Sequence, residues 1–178
     1  VLRAGDPTLA DLGTSMGATL INLLKNQSMM EAEKTIRADR AVEMLNTRLI
    51  NAFPDAGIRV LLNDQMTADA AAGSDYLKIR SDARFNALDI DVLEVHEGWV
   101  HLGTTLNGMA QPWCTFLGKG PPSSTTTQEG LAVLTEILTM RSSPSRLYRL
   151  INRVRAVTLA EEGANFVEVF DYLRSNEM

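Results

Sequence analysis

Apolar residues recur every three or four positions over most of this chain, which is the spacing of amphipathic helices. In the segment 28–52 the helix face opposite the apolar one is charged. Met29, Met30 and Met44 in this segment are interpreted as side chains that fill the core or an interface. Proline and glycine stand near several segment ends, as they do at helix boundaries. The pattern predicts helices over about 7–25, 28–52, 87–106, 144–161 and 166–174, and one more that begins near residue 127.

Two short segments have strand character instead. Residues 58–62 are apolar and partly β-branched, and residues 76–80 alternate apolar and charged side chains. The segment 63–75 is interpreted as a connection, so the two strands are expected to form a hairpin. The predicted fold class is therefore α+β and mostly helical, with a small β-sheet next to the helix that begins near residue 87. Residues 111–127, rich in Pro, Gly, Ser and Thr, are expected to form a long loop.

Composition narrows the class of protein. The 178 residues are 45% hydrophobic and 22% charged, with a net charge of −5, which fits one compact domain. We expect a helical part over 1–55 and a second part over 56–178. The acidic balance argues against nucleic acid and membranes as partners. The single cysteine, Cys114, favours a reducing, cytoplasmic location. Because the sequence starts without Met, we expect it to be a fragment of a longer chain. The oligomeric state is not predicted.

The only two histidines flank a glutamate in the sequence His-Glu-Gly-Trp-Val-His, from His96 to His101. Two imidazoles and a carboxylate on one helix can bind Zn²⁺ and activate water, as they do in peptidases whose histidines are four apart. Residues five apart on an α-helix point about 140° away from each other. Both rings reach one metal only if the helix takes in an extra residue, as a π-bulge does. Gly98 would lower the cost, so we predict a bulge between the histidines.

A simpler interpretation of the histidines is open at this point. A histidine on a half-apolar helix is commonly a hydrogen-bonded core residue, and spacing alone leaves the two interpretations about even. The helix itself is well marked, because Asn86 with Asp89 three residues later forms a capping pattern and Asn107-Gly108 forms a stop signal. A third ligand would decide between a metal site and core histidines.

Three segments together carry a resemblance to a known family: His-Glu-Gly-Trp-Val-His at 96–101, Leu-Asn-Gly at 106–108 and Thr-Gln-Glu-Gly-Leu-Ala at 127–132. Over about 59–172 the chain resembles the bacterial QEGLA-motif proteins, described as modulators of flavohaemoglobin expression. That family is similar to the animal microtubule-associated tyrosine carboxypeptidases. The joint occurrence of both motifs is specific. The resemblance implies a helical zincin-like domain and a zinc-dependent peptidase of gluzincin type, in which a later helix supplies a glutamate.

Carried over by residue, the resemblance implies that His96, His101 and Glu129 bind zinc and that Glu97 is the general base. The chemistry is consistent, because three protein ligands leave one position for a water molecule whose proton Glu97 can take. Glu129 has an alternative role, since an acidic residue in the first turn of a helix stabilises the helix dipole. The motif match favours the ligand role.

Other site candidates are weaker. A carboxypeptidase needs a cation for the terminal carboxylate of its substrate, and Arg153, which matches a family arginine, is preferred over Arg155, with Lys78 and Arg80 as further candidates. For the two arginines a solvated helix face is the more common role. An edge strand beside the histidine helix is expected either to hold an extended peptide or to be purely structural. The candidates for orienting the ligand side chains through hydrogen bonds are Glu94, Asn107, Gln128 and Glu136.

The sequence therefore predicts a zinc metallopeptidase, carboxypeptidase-like, that acts on a peptide or protein C-terminus with Zn²⁺ as cofactor. The competing class is a non-catalytic metal-binding regulatory or interaction protein. A third possibility is hydrolysis of a non-peptide amide by the same chemistry. Glu97 separates the first two, because a structural metal site has no use for a base beside an open position. The family continues beyond the segment matching residue 172, so a fragment could bind metal yet cleave poorly.

Overall fold

A computed structural model describes residues 6–24 and 32–176 of the chain. Most of these residues are helical, and the helices surround two small sheets. In chain order the elements are α1 (Leu9–Leu24), β1 (Ile36–Arg37), α2 (Ala38–Ala52), β2 (Arg59–Asn63), β3 (Ala70–Ala72), β4 (Tyr76–Arg80), β5 (Arg84–Phe85), α3 (Ala87–Leu93), a π-helix (Glu94–Leu102), α4 (Gly103–Met109), a 3₁₀ turn (Thr115–Lys119), α5 (Pro122–Leu138), α6 (Pro144–Glu161) and α7 (Phe166–Asn176). The predicted fold class, α+β and mostly helical, is confirmed.

The chain forms two compact units, one of residues 1–31 with 143–178 and the other of residues 32–142. These boundaries differ from the predicted division near residue 55, and a single-domain organisation stays a prediction. No helix in the two described segments is long and apolar enough to cross a membrane.

The first unit contains three of the predicted helices. Ser143 caps α6 by accepting a hydrogen bond from the Arg146 N–H at 3.1 Å. Asn165 caps α7 in the same way, accepting from the Glu168 N–H at 3.2 Å. The buried Asn152 of α6 accepts from the Tyr172 hydroxyl of α7. The starts of both helices follow the prediction closely, because local capping side chains define them.

The second helix starts ten residues later than predicted. Residues 25–31, which include Met29 and Met30, lie outside the described part of the chain, and 32–35 are irregular. Ile36–Arg37 then pairs antiparallel with Arg84–Phe85. The prediction over 28–37 was wrong where the structure describes it, because pairing with a distant segment overrides a local helical pattern.

The predicted hairpin is also wrong, although both strands exist. β2 and β4 pair in parallel, and β3, in the predicted connection, pairs antiparallel with β4 on its other side. The sheet order is therefore β2-β4-β3, which makes β3 an edge strand. A parallel pair needs a long crossover, and the twelve-residue segment 64–75 supplies it.

The core of this unit lies around α2. Its buried Leu45 and Leu49 join Leu77 and Ile79 of β4 and Ile90 of α3 in one apolar cluster, and Met44 packs against that cluster as predicted. α2 contacts both the sheet and the π-helix. The sheet and the helix that carries both histidines are thus held on one common support.

α5 begins at Pro122, five residues before the predicted start, so the predicted loop 111–127 is too long at its C-terminal end. The same segment also contains the 3₁₀ turn. Its Ser and Thr residues favour loops by composition, but Pro122 at the first helical position has a backbone already suited to a helix. The earlier start moves Glu129 out of the first turn, which contains no acidic residue. The helix-dipole role considered for Glu129 is therefore excluded.

Candidate functional site

The histidine helix changes geometry where its sequence predicts that it should. α3 begins with the predicted capping box, in which Asn86 and Asp89 each bind the other's backbone N–H at 2.9 Å. From Glu94 to Leu102 the chain is a π-helix, and at its end the Gly103 N–H donates to the Gly98 carbonyl five residues back. The predicted bulge is confirmed and extends over nine residues.

The π-helix brings the two histidine rings to the same side. Their ring centroids lie 5.1 Å apart with an interplanar angle of 65°. In a regular α-helix the same residues would diverge by about 140°. Both side chains are largely buried, with 14% of His96 and 18% of His101 exposed. The extra residue per turn therefore makes a two-histidine site possible with this spacing.

Gly98 has a different role from the predicted one. Its backbone is not in the left-handed region, but a Cβ at this position would collide with Leu49 of α2, which is fully buried. Glycine is thus needed for the close approach of α2 to the π-helix. A side chain here would force apart the helix that carries the histidines and its support.

We predict that Gly98→Ala lowers the free energy of unfolding by about 1–3 kcal/mol, the usual cost of overpacking a core. Gly130→Ala is the matched control, because a Cβ at helical Gly130 meets no atom within 4 Å. Alanine there is expected to add about 0.5–1 kcal/mol. Urea unfolding of both variants measures the difference, and equal stability of the two would contradict the steric role of Gly98.

Glu129 of α5 faces both histidines. Its Oε2 atom lies 3.4 Å from His96 Nε2, and its Oε1 atom lies 3.4 Å from His101 Nε2. One ligand atom from each of these three residues can be chosen so that all lie within 4.8 Å of one another. Ligands about 2.0–2.1 Å from a tetrahedral zinc ion lie about 3.3 Å apart. The three side chains therefore fit a metal ion of that size.

The far sides of both rings are held by α5 as well. His96 Nδ1 lies 2.7 Å from Oε1 of Glu136, which is fully buried, and His101 Nδ1 lies 3.2 Å from Oε1 of Gln128. Gln128 in turn donates to the Ser124 hydroxyl. Oxygen acceptors at both Nδ1 atoms favour the tautomer whose Nε2 lone pairs face Glu129.

Glu97 lies at the edge of the same group. Its Oε2 atom accepts a hydrogen bond from the Ala72 N–H of edge strand β3 at 3.0 Å. A cavity of about 340 Å³ is lined by Glu97, His101 and Glu129 together with Ala70–Gly73. No lysine or arginine among the described residues lines this cavity. Glu97 is thus half-buried. One oxygen of its carboxylate is held by the Ala72 N–H, and the side chain borders the cavity.

The whole chain, residues 1–178, matches the family model described as microtubule-associated tyrosine carboxypeptidase. The chain belongs to this family. No curated protein and no solved structure matches it. Membership in the microtubule-associated tyrosine carboxypeptidase family implies a carboxypeptidase-like hydrolase that acts on peptides. The relation to these carboxypeptidases that the sequence indicated is confirmed, and the narrower relation to the bacterial QEGLA proteins stays a prediction.

The remaining predicted residues of this family member have surroundings of their own. The buried Glu94 pairs with Arg48 and Arg141 at 3.0 Å, and Asn107 is exposed on α4. Arg153 and Arg155 lie on α6 in the other compact unit, where Arg153 is exposed. Their predicted roles in the carboxypeptidase stay predictions.

The two other predicted cations lie on β4, in the same unit as the site. Arg80 pairs with Asp69 and Asp82, and the Lys78 ammonium lies 5.1 Å from the centre of the Tyr76 ring.

Sequence reasoning missed several groups around the site. The Ala72 N–H is a backbone donor, so no side-chain motif could reveal it. Arg141 and Arg48 reach Glu94 from 47 and 46 residues away along the chain, and only the tertiary structure brings these three together.

Proposed function

We propose that this chain is a zinc-dependent metallopeptidase of carboxypeptidase type, with His96, His101 and Glu129 as zinc ligands and Glu97 as general base. The observation that carries the proposal is the convergence of both Nε2 atoms on the two oxygens of Glu129, at 3.4 Å each. A π-helix is needed for that convergence, and a distortion of nine residues is costly without a function.

The donor set supports zinc. Two imidazole nitrogens with one glutamate oxygen is the ligand set of several catalytic zinc sites, which keep a fourth position open. The side-chain oxygens of Glu136 and Gln128 lie against the Nδ1 atoms of the two histidines, where hydrogen-bond acceptors orient metal-binding imidazoles. Zinc bound there would supply Lewis acidity, which polarises a carbonyl oxygen and makes water a stronger acid.

Glu97 is the residue that favours catalysis over a structural metal site. Its carboxylate borders the cavity and follows directly on the ligand His96 in sequence. The Ala72 N–H holds one of its oxygens, which leaves the other to accept a proton from water and later to deliver it to the leaving amine. A metal-binding regulatory protein would need no base at this place, so we favour the peptidase. Hydrolysis of a non-peptide amide would use the same residues.

The edge strand is the proposed support for the peptide. The Gly73 N–H and the Asp69 carbonyl bond to β4, so the backbone groups of the alternate residues Ala70 and Ala72 are directed towards the opposite edge. This edge borders the cavity. The Ala72 N–H is taken by Glu97, so an extended peptide placed along this edge would pair with the Ala70 N–H and with the carbonyls of Ala70 and Ala72, and would pass Glu97.

The resemblance alone makes Arg153, and after it Arg155, the proposed ligands of the terminal carboxylate of the substrate. A cytoplasmic location, the absence of nucleic-acid and membrane partners, and a role for Glu94 and Asn107 in orienting the ligands stay predictions from the sequence.

Two measurements on the unaltered chain test the proposal. Elemental analysis after purification in metal-free buffers and reloading is expected to find about one zinc per chain, the content of a mononuclear catalytic site. Mass spectrometry of a peptide library is expected to show loss of single C-terminal residues, abolished by a chelator and restored by zinc. A chain that takes up no zinc would contradict the proposal. Zinc without hydrolysis of any peptide would favour the non-catalytic metal-binding protein.

A further inference from the structure

α5 carries the third proposed ligand and the side chains behind both histidines, but it buries few apolar side chains. It supplies Gln128, Glu129 and Glu136, and its only buried residues are Ala132 and Glu136. Its large apolar side chains are between 40% and 73% exposed: Leu131, Leu134, Ile137 and Leu138. Apolar burial therefore contributes little to holding this helix in place. Polar contacts must determine where α5 lies relative to the π-helix.

Two of these polar contacts end on the histidine rings. Glu136 contacts His96 and Gln128 contacts His101, so each joins α5 to a side chain that can itself rotate. Neither contact fixes α5 to the backbone of the histidine helix.

Arg141 provides a third contact, which is of a different kind. α5 ends at Leu138, Met140 two residues later is in the left-handed conformation at a φ of 57°, and the Arg141 N–H donates to the Glu136 carbonyl at 2.8 Å. This is the hydrogen bond of a Schellman motif, which ties Arg141 to the last turn of α5. Arg141 therefore moves with the helix that carries Glu136 and Glu129.

The side chain of Arg141 reaches the histidine helix on both sides of His96. Its Nη1 atom donates to Glu94 Oε2 at 3.0 Å and to the Asp91 carbonyl at 3.4 Å. Its guanidinium carbon lies 5.0 Å from the centre of the Trp99 ring, which stands between the two histidines in sequence. A planar guanidinium can bind a carboxylate and stack on an aromatic ring at once, which lysine cannot do.

We propose that Arg141 is a positioning residue that fixes α5 on the π-helix and thereby places Glu129 opposite the two histidines. The proposal rests on the zinc site proposed above. The side-chain contacts described for Arg141 go to Asp91, Glu94 and Trp99, so we expect its effect on metal binding to pass through α5.

Arg48 offers a matched control. Its Nη1 atom also lies 3.0 Å from Glu94 Oε2, but Arg48 belongs to α2, and its hydrogen bonds go to Asp91 and Glu94, neither of which is on α5. Its hydrogen bond to Asp91, and then that to Glu94, raise the pKa of Arg48. Removal of Arg141 leaves Glu94 paired with Arg48, so no buried carboxylate loses its only partner. The two arginines thus share one acceptor and differ in the helix that they hold.

The test compares Arg141→Met, Arg141→Lys and Arg48→Met in the full chain. Zinc affinity is measured by competition with a chelator, and the exchange of backbone amides is measured in the metal-free protein. We expect Arg141→Met to weaken zinc binding about tenfold, the range found when residues supporting ligands are replaced. It should also speed exchange in 122–138. Arg141→Lys should fall between this variant and wild type. Arg48→Met should speed exchange in α2 and change zinc affinity less than about threefold.

The outcomes separate this proposal from the function on which it rests. Unchanged zinc affinity in a folded Arg141→Met protein overturns the positioning role and leaves the zinc site intact. Equal losses in Arg141→Met and Arg48→Met also overturn it, since the effect would then belong to Glu94. A wild-type chain without zinc affinity overturns both proposals. If Arg141→Met does not fold, the lysine variant decides: wild-type affinity in it contradicts the role.

Discussion

Glu97→Gln is expected to keep the zinc of the wild-type protein and to lower peptide hydrolysis by about 10²- to 10⁴-fold, the usual contribution of a general base. The glutamine oxygen can still accept the 3.0 Å hydrogen bond from the Ala72 N–H, so the shape of the site is preserved. An amide cannot take up a proton from water at neutral pH. The variant thus removes one chemical function and leaves the geometry in place.

The measurement is kcat/KM for release of a C-terminal residue, made beside zinc analysis of the same sample. Glu162→Gln is the control, because Glu162 is exposed just after α6 and is not among the residues of the proposed site. Wild-type turnover in Glu97→Gln would remove Glu97 from the proposed mechanism. Loss of zinc in this variant would show instead that Glu97 acts on metal binding.

Glu129→Ala is expected to abolish stoichiometric zinc binding. Replacing a residue that only supports a ligand typically weakens metal affinity about 10- to 100-fold, and the loss in Glu129→Ala should be greater. The reason is that Glu129 supplies both oxygens that face the histidine Nε2 atoms. Glu136→Gln, which keeps the shape of a buried side chain, should fall within the smaller range. The order of the two losses separates a ligand from a residue that holds a ligand.

Competition with a chelator measures both losses. Thr127→Ala is the control on the same helix, since Thr127 is exposed and two residues before Glu129. Thermal unfolding of the metal-free proteins checks that Glu129→Ala leaves the fold intact, as expected for a side chain that is 53% exposed. Full zinc occupancy in Glu129→Ala would contradict the proposed ligand set.

These experiments also bear on the alternative of a non-catalytic protein. Both classes predict that Glu129→Ala loses metal, so that variant alone cannot separate them. Only the peptidase predicts an activity that Glu97→Gln removes without loss of zinc. The hydrogen bond from the edge strand to Glu97 is the structural reason to make this comparison.

Local sequence determined several parts of this protein. The caps at Asn86, Ser143 and Asn165 define helix starts because their side chains bind backbone groups within three residues. The π-helix could be predicted from the sequence, since two histidines five residues apart face one side only if the backbone hydrogen-bond pattern of the helix changes. The proposed ligand set and the proposed base could be named because these residue types stand in two recognisable motifs.

The tertiary structure decided what depends on distant segments. β3, the parallel pairing of β2 with β4, and the late start of α2 arise from partners far along the chain, which no local period encodes. Gly98 is required by contact with Leu49, not by its own backbone freedom. Arg141 meets Glu94 only because α5 returns to the histidine helix. The sequence by itself therefore determined the residue types of the site, and long-range packing decided which groups hold them in place.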